Sequence, residues 1–267
     1  MTEHLAPAVL LAVRVPDEFL QRLAARYVVL GPLPPPFSES VAALLADLAM
    51  GLVIASVRQM FAANAFLRRG DWTGNYAKRM PLVRGLTGRK VGIYGLGTIG
   101  EQIARRAAAF AMEIGYHNRR RRPDVSYPYY ATLHDLARWA DVLVVAVRAG
   151  PGNRHAVDAG VLAALGPEGH VVNIARGSVI DEAALIRALR EGLIAGAGLD
   201  VFEREPSVPD ELVALENVVL TPHIAGGTLE AQAALQDLVV ANVDAFFAGD
   251  PVLTPVPELH AGAATSL

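Results

Sequence analysis

Residues 90–100, which read KVGIYGLGTIG, constrain the fold of this chain more than any other stretch. The apolar run at its start predicts a short buried strand, and the apolar residues that follow recur at helical spacing. A G-x-G-x-x-G turn between a strand and a helix is typical of dinucleotide-binding units, because its glycines permit a tight turn, close approach of a pyrophosphate, and close helix packing. The phosphates then lie at the helix N-terminus. The predicted dinucleotide-binding residues are Gly95, Leu96, Gly97, Thr98, Ile99 and Gly100.

Composition excludes several other classes of protein. The chain has 267 residues, 52% hydrophobic and 19% charged, which is too apolar for a disordered protein. It contains no cysteine, so disulfides and cysteine-based zinc sites are excluded, and we expect no metal. A net charge of −3 gives no global attraction to nucleic acid, and the N-terminus is a poor signal peptide. We expect a cytoplasmic protein with neither a nucleic-acid nor a membrane partner.

Strands and helices alternate from residue 89 onward, which predicts an α/β fold with a doubly wound parallel (Rossmann) sheet. The predicted strands span residues 90–94, 113–117, 142–147, 171–175, 197–202 and 218–221. A long helix is expected from Ser38 or Ser40 to about Arg69, after a proline-rich linker. Its apolar part, 41–57, contains Asp47, which favours a buried or dimer-interface helix over a membrane span. The expected domains are 1–37, 38–225 and 226–267.

The loop after the second predicted strand indicates which dinucleotide binds. An acidic residue normally ends this strand and bonds the ribose 2′-hydroxyl of NAD. Here the strand runs into His117, Asn118 and four consecutive arginines, with no carboxylate at its end. Guanidinium groups suit a 2′-phosphate, so we predict NADP(H) over NAD(H), with Arg119 and Arg120 as the main contacts. The alternative is a solvated basic loop.

Three later loops carry the candidate chemistry, and each follows a predicted strand. They contain Arg176, Glu205 and His223. Ligands of open α/β sheets bind beyond the carboxyl ends of the strands, so these side chains are expected to converge. A cation can hold the carboxylate of a 2-keto acid, a histidine can protonate the new alkoxide, and a glutamate can orient that imidazole. A reduced dinucleotide would supply the hydride.

Each of these residues also has an ordinary structural interpretation. Arg176 is equally consistent with a surface residue at a helix entry. Glu205 by itself reads more naturally as loop charge, since Glu203 lies beside it. His223 is also consistent with a packed residue at a strand end. Five other histidines are expected in surface contexts, namely His4, His134, His155, His170 and His260.

Taken together, GLGTIG, YHNRR, NIARGSVID, GAGLDVFEREP and TPHIAGGT resemble the D-isomer-specific 2-hydroxyacid dehydrogenases over residues 38–257. The likeness is strongest to the NADPH-preferring glyoxylate/hydroxypyruvate reductases. It implies that Arg176 binds substrate, that Glu205 and His223 form the acid pair, and that the helix around 42–58 packs in a homodimer interface. Asp200 matches the residue that holds the nicotinamide carboxamide. Further cofactor contacts are expected at Asn118, Val147, Ala175, His223 and Gly226.

The chain departs from this family at its N-terminus. Residues 8–33 resemble only the first units of a flavodoxin-like substrate lobe, so a truncated second lobe is expected. Lobe closure excludes water from such sites, and its loss predicts weak turnover. Two hypotheses follow. One is an NADPH-dependent reductase of a small 2-keto acid, and the other is a catalytically impaired NADP(H)-binding dimer or regulator.

Overall fold

The computed structural model describes residues 8–10, 28–30, 39–74 and 80–254. The chain divides into two compact units, residues 39–228 and residues 1–38 with 229–267. The sequence had suggested 38–225 for the central part. The proline-rich linker and most of residues 8–33 lie outside the described residues.

The strands are β1 (Ala8–Leu10), β2 (Val28–Leu30), β3 (Lys90–Tyr94), β4 (Glu113–His117), β5 (Val142–Val145), β6 (His170–Asn173), β7 (Gly196–Leu199) and β8 (Val218–Leu220). The helices are α1 (Glu39–Val57), α2 (Met60–Arg68), α3 (Thr98–Ala109), α4 (Leu133–Trp139), α5 (Ala159–Leu165), α6 (Glu182–Arg190), α7 (Asp210–Val213) and α8 (Leu229–Ala248). In the smaller unit, β1 and β2 pair in parallel, and Asn242 Oδ1 on α8 accepts the N–H of Thr254 at 3.1 Å.

The larger unit is built on a six-stranded parallel sheet in the order β4-β3-β5-β6-β7-β8. The chain leaves β3 for β4 on one side and then crosses to β5 on the other, so a topological switch point lies between β3 and β5. A single parallel bridge from Tyr116 to Tyr129 extends the sheet beyond β4. The prediction of a doubly wound parallel sheet is confirmed.

Apolar side chains cover both faces of this sheet. One buried cluster joins α4, α5 and α6 to the sheet through Leu136, Leu162 and Leu185. The other joins α1 and α3 to the opposite face through Val53 and Ile103. All four residues of β5 are buried, as expected of a parallel strand covered on both sides. The two helical layers leave only the ends of the strands open.

The prediction of a single long helix over residues 38–69 is wrong in one respect. The segment forms two helices, α1 and α2, bent by 60° at residues 58–59. Gln59 has a left-handed φ of 49°, which ends α1. Neither glycine nor proline stands at the bend, so no local signal marks it. Just before the bend, Ser56 in the last turn of α1 lies beside His170 at the start of β6, with 2.9 Å between Oγ and Nδ1.

The apolar stretch at 41–57 is largely buried within its own chain. Ala42, Ala46, Ala49 and Val53 have no exposed surface, and α1 packs on α3 and the sheet. None of the described helices is by itself long and apolar enough to cross a bilayer. The bent pair formed by 41–57 and 60–68 meets that test jointly, by length and composition only. The prediction that this helix is buried is confirmed, and its place in a dimer interface stays a prediction.

Candidate active site

The glycine loop between β3 and α3 opens onto the switch point. Gly95 has a φ of 102°, and a Cβ there would lie 2.6 Å from the backbone N of Val147, so the loops after β3 and β5 touch. A Cβ on Gly100 would meet the carbonyl of Gly95. Gly97 differs, because it is exposed and a Cβ there would meet no protein atom within 4 Å. Its open space at the N-terminus of α3 fits an approaching pyrophosphate.

The backbone of Leu96 and the side chain of Asn118 are hydrogen-bonded to each other rather than facing solvent. Leu96 is 1% exposed in the core, and its N–H donates to Asn118 Oδ1 at 2.7 Å. The Asn118 amide returns a hydrogen bond to the carbonyl of Leu96 at 3.3 Å. Since both peptide groups of Leu96 are engaged, these residues shape the glycine loop. The phosphate-facing part of the motif is the exposed pair Gly97 and Thr98, with Ile99 and Gly100 completing the first turn of α3.

The arginine run after β4 does not act as one group. Arg119, Arg120 and Arg121 are exposed, and none forms a salt bridge with any residue that the structure describes. Arg122 instead pairs with Glu101 and Asp124. The neighbouring His117 donates its Nδ1–H to the carbonyl of Tyr130 at 2.8 Å. Three of the four guanidinium groups therefore remain for a ligand.

Arg176 lies in the loop after β6, which Asn173 holds in place. The buried Asn173 side chain accepts the N–H of Ala175 at 3.0 Å and donates to the carbonyl of Arg176 at 3.0 Å. Gly177 lies against the backbone of Phe202, where a Cβ would overlap the carbonyl. This contact joins the Arg176 loop to the loop after β7. The Arg176 side chain is exposed and its Nη1 donates to the carbonyl of Ala175 at 2.7 Å.

Asp200, the first residue after β7, holds the loop that carries His223. It is 0% exposed. Its carboxylate accepts hydrogen bonds from Thr221 Oγ1 at 2.7 Å, from the N–H of Ile224 at 2.8 Å and from the N–H of Ala225 at 2.9 Å. Its carbonyl accepts the N–H of His223 at 2.9 Å. These bonds stabilise His223 at a left-handed φ of 52°.

Glu205 and His223 form the predicted pair. His223 Nδ1 lies 2.7 Å from Glu205 Oε2, and Glu205 Oε1 accepts the N–H of Phe202 at 3.0 Å. The His223 side chain is 43% exposed, so Nε2 remains available to a ligand. Arg176, Glu205 and His223 thus follow three adjacent strands, β6, β7 and β8, at one edge of the sheet. Among the other expected cofactor contacts, Val147 and Gly226 are half-buried.

Sequence reasoning missed a second Glu–His pair in the same loop. Glu203 accepts hydrogen bonds from Arg154 at 2.5 Å and from His155 Nε2 at 2.9 Å. The hydrogen bond from His155, ahead of that from Arg154, lowers the pKa of the Glu203 carboxyl. The three residues join the loop after β5 to the loop after β7. The only sequence signal was the adjacent Arg-His dipeptide, which reads equally well as surface charge.

His170 also departs from the surface position expected of it. It is 5% exposed at the start of β6, at the opposite end of the strands from the site. Burial, followed by the nearby charge of Arg89, lowers its pKa to about 4, while Asp141 opposes the shift. Within 39–74 and 80–254, together with the two short strands, no cluster of three metal-ligating side chains occurs.

The chain is similar to several known proteins. The NAD binding domain of the D-isomer specific 2-hydroxyacid dehydrogenases matches residues 50–225. A glyoxylate/hydroxypyruvate reductase of Arabidopsis thaliana is 49% identical over 212 residues, which are 79% of this chain and 67% of that protein. A 2-ketogluconate reductase of Gluconobacter oxydans is 46% identical over the same share of each chain.

A solved structure is similar over most of its length. It is the NADPH-dependent glyoxylate/hydroxypyruvate reductase of Sinorhizobium meliloti in complex with NADP and malonate, with a TM-score of 0.78 and 43% identity. The match covers 90% of this chain and 73% of that one. This chain spans about two thirds of the length of the curated relatives named above. The family expected from the sequence is confirmed, and the chain belongs to the D-isomer-specific 2-hydroxyacid dehydrogenases.

Proposed function

We propose that this protein reduces a small 2-keto acid, such as glyoxylate or hydroxypyruvate, to the D-2-hydroxy acid with NADPH. The observation that carries the proposal is the Glu205–His223 hydrogen bond of 2.7 Å beside an exposed Arg176. The relatives named glyoxylate/hydroxypyruvate reductase support the substrate class. The D configuration follows from family membership.

Each of the three side chains has one task in the reaction. Bound NADPH supplies the hydride that adds to the keto carbon. Arg176 holds the substrate carboxylate and draws electron density from the neighbouring carbonyl. His223, whose Nδ1 faces Glu205, donates the proton on Nε2 to the oxygen that becomes the hydroxyl. One keto acid, one NADPH and one proton give one hydroxy acid and one NADP⁺, and His223 regains its proton from solvent.

The preference for NADPH rests on the loop after β4. No carboxylate ends that strand, and Arg119 and Arg120 are exposed without a salt bridge to any described residue. The ribose of a dinucleotide bound at the glycine loop would lie at this loop. Two unpaired guanidinium groups there favour a 2′-phosphate, while NAD(H) lacks the group that they would bind.

We also propose a homodimer, as family membership suggests. The support is a set of exposed apolar side chains on α2 and the segment after it, which are Met60, Phe61, Leu67, Trp72 and Leu82. An apolar surface of this kind is typical of an interface between chains. Sedimentation velocity at micromolar concentration tests the proposal, and a single monomeric species would contradict it.

The decisive experiment measures NADPH oxidation at 340 nm with hydroxypyruvate or glyoxylate, and NADPH binding by fluorescence on the same sample. We expect turnover that is lost when His223 is replaced by glutamine. Tight NADPH binding without turnover on several 2-keto acids would contradict the proposal. It would favour the alternative, a catalytically impaired NADP(H)-binding dimer or regulator.

A further inference from the structure

The loop 118–122 is fastened at both ends to a single residue of the glycine loop. Asn118, at its start, exchanges two hydrogen bonds with the peptide groups of Leu96, at 2.7 and 3.3 Å. Arg122, at its end, donates from Nη1 to the carbonyl of Leu96 at 3.2 Å. Leu96 lies between Gly95 and Gly97, so the loop that would meet the ribose is tied to the turn that would meet the pyrophosphate.

Arg122 is held from several directions at once. Its guanidinium pairs with Glu101, in the first turn of α3, and with Asp124. Its backbone N–H donates to the hydroxyl of Tyr116 at 2.9 Å, and Tyr116 is fully buried in β4. The hydrogen bonds that Arg122 donates to Asp124 and, after it, to Glu101 raise the pKa of Arg122 above its usual range, so its charge is permanent.

The charges separate Arg122 from the arginines before it. Two carboxylates already neutralise Arg122, whereas Arg119 and Arg120 have no carboxylate partner among the described residues. Glu101 stands in the helical turn where phosphates are expected to bind, and an unpaired carboxylate there would repel them. By pairing with Glu101, Arg122 removes that repulsion and anchors the end of the loop.

We propose that Arg122 is a positioning residue for cofactor selectivity. It holds the loop on Leu96 so that Arg119 and Arg120 meet the 2′-phosphate, and Arg122 does not bind the phosphate itself. This inference rests on the proposed preference for NADPH. It assigns selectivity to the contact between Arg122 and Glu101 as well as to the exposed guanidinium groups.

The test compares dissociation constants for NADPH and NADH, measured by calorimetry on the full chain at one ionic strength. The variants are Arg122→Met, Glu101→Gln and the two combined. Arg105→Met is the matched control, because Arg105 lies 3.9 Å from the same Glu101 carboxylate but does not contact the loop. Thermal unfolding of each variant verifies that it is folded.

We expect Arg122→Met to reduce the preference for NADPH over NADH by about tenfold, and Glu101→Gln to reduce it by a smaller factor. The combined variant should bind NADPH no more weakly than Arg122→Met, because the unpaired carboxylate is gone. Arg105→Met should leave the preference unchanged.

Four results would overturn the inference. Stronger NADPH binding in Glu101→Gln, together with its loss in Arg122→Met, would make Arg122 a direct phosphate ligand. Equal losses of NADPH and NADH in Arg122→Met would assign the residue a general structural role. If the wild-type protein shows no preference for NADPH, both the proposed cofactor selectivity and the inference are wrong. If the wild-type preference is intact and the variants retain it unchanged, only the inference is wrong.

Discussion

His223 Nδ1 lies 2.7 Å from Glu205 Oε2, whereas the neighbouring Glu203 is bonded to both Arg154 and His155. The permanent cation of Arg154 offsets the charge of Glu203. Glu205 has no such partner among the described residues, because its other oxygen accepts only a peptide N–H. Glu205 therefore faces His223 without a competing cation among the described residues, which is what the proposed acid–base role of this pair requires.

Replacing His223 with glutamine should lower kcat by about 10²- to 10⁴-fold, because the proton donor is lost. The Kd for NADPH should change little. His155→Gln is the matched control, since it makes the same change at the other Glu–His pair, and its kcat should fall by only a few fold. Steady-state kinetics with hydroxypyruvate measure both. A larger loss in His155→Gln than in His223→Gln would exchange the two roles.

Replacing Arg119 and Arg120 together with alanine should raise the Kd for NADPH by at least about 100-fold, because two charged hydrogen bonds are lost and each contributes roughly 1.5–3 kcal/mol. The Kd for NADH should stay within about threefold. Calorimetric titration at constant ionic strength measures both constants. The double variant Arg187→Ala/Arg190→Ala, at two exposed arginines on α6, controls for the loss of two positive charges. Equal losses for the two nucleotides would refute the 2′-phosphate assignment.

Replacing Gly97 with alanine should separate binding from folding. The added Cβ meets no protein atom within 4 Å and the φ of −97° suits alanine, so Tm should stay within a few degrees. Dinucleotide binding should weaken at least tenfold, by roughly 1.4 kcal/mol, because the methyl group occupies the approach of the pyrophosphate. Gly100→Ala is the comparison, since its Cβ meets the Gly95 carbonyl and should lower Tm. Unchanged affinity in Gly97→Ala would exclude this cradle.

Replacing Asp200 with asparagine should destabilise the fold by about 1–3 kcal/mol. The NH₂ of the new amide would replace one carboxylate oxygen, and it cannot accept the hydrogen bond that this oxygen accepts. The expected fall in Tm is about 2–4 °C per kcal/mol. Turnover should also fall, since the His223 loop loses its support. Thr221→Val removes only one of the three bonds and should cost less. The reverse order of Tm values would contradict the role given to Asp200.

The stability of the protein should depend on pH through His170. Its pKa is lowered from 6.5 to about 4, so between these values the unfolded chain binds more protons than the folded one. Above pH 6.5 the free energy of unfolding carries no penalty from His170. As pH falls toward 4, the free energy of unfolding decreases by on the order of 3 kcal/mol. Urea unfolding of wild type and His170→Gln measures it, with the exposed His134→Gln as control. Equal pH slopes in all three would contradict it.

The sequence predicted what depends on local pattern. The apolar runs located all six strands of the sheet, and the glycine motif located the turn at the switch point. Strands β5, β6, β7 and β8 end one to three residues earlier than predicted. At β6 and β7, Asn173 and Asp200 turn their side chains to the loops. These polar residues at the ends of apolar strands were visible in the sequence, but their partners were not.

The remaining differences come from contacts between distant parts of the chain. Burial of His170 depends on Ser56, which lies 114 residues earlier. The distinction between Glu203 and Glu205 depends on Arg154, 49 residues before Glu203. The bend at Gln59 occurs at a residue that does not usually break helices. No local pattern encodes such pairings, so periodicity and motifs cannot predict them.

The sheet order described above also sets a scale for the site. Arg176 follows β6 and His223 follows β8, with β7 between them. Neighbouring strands lie about 4.8 Å apart, so the two loops leave the sheet roughly 10 Å from each other. A guanidinium group, an imidazole and a short acid fill a gap of this width. The separation of the residue proposed to hold the carboxylate from the proposed proton donor is thus set by the order of the strands and not by the side chains themselves.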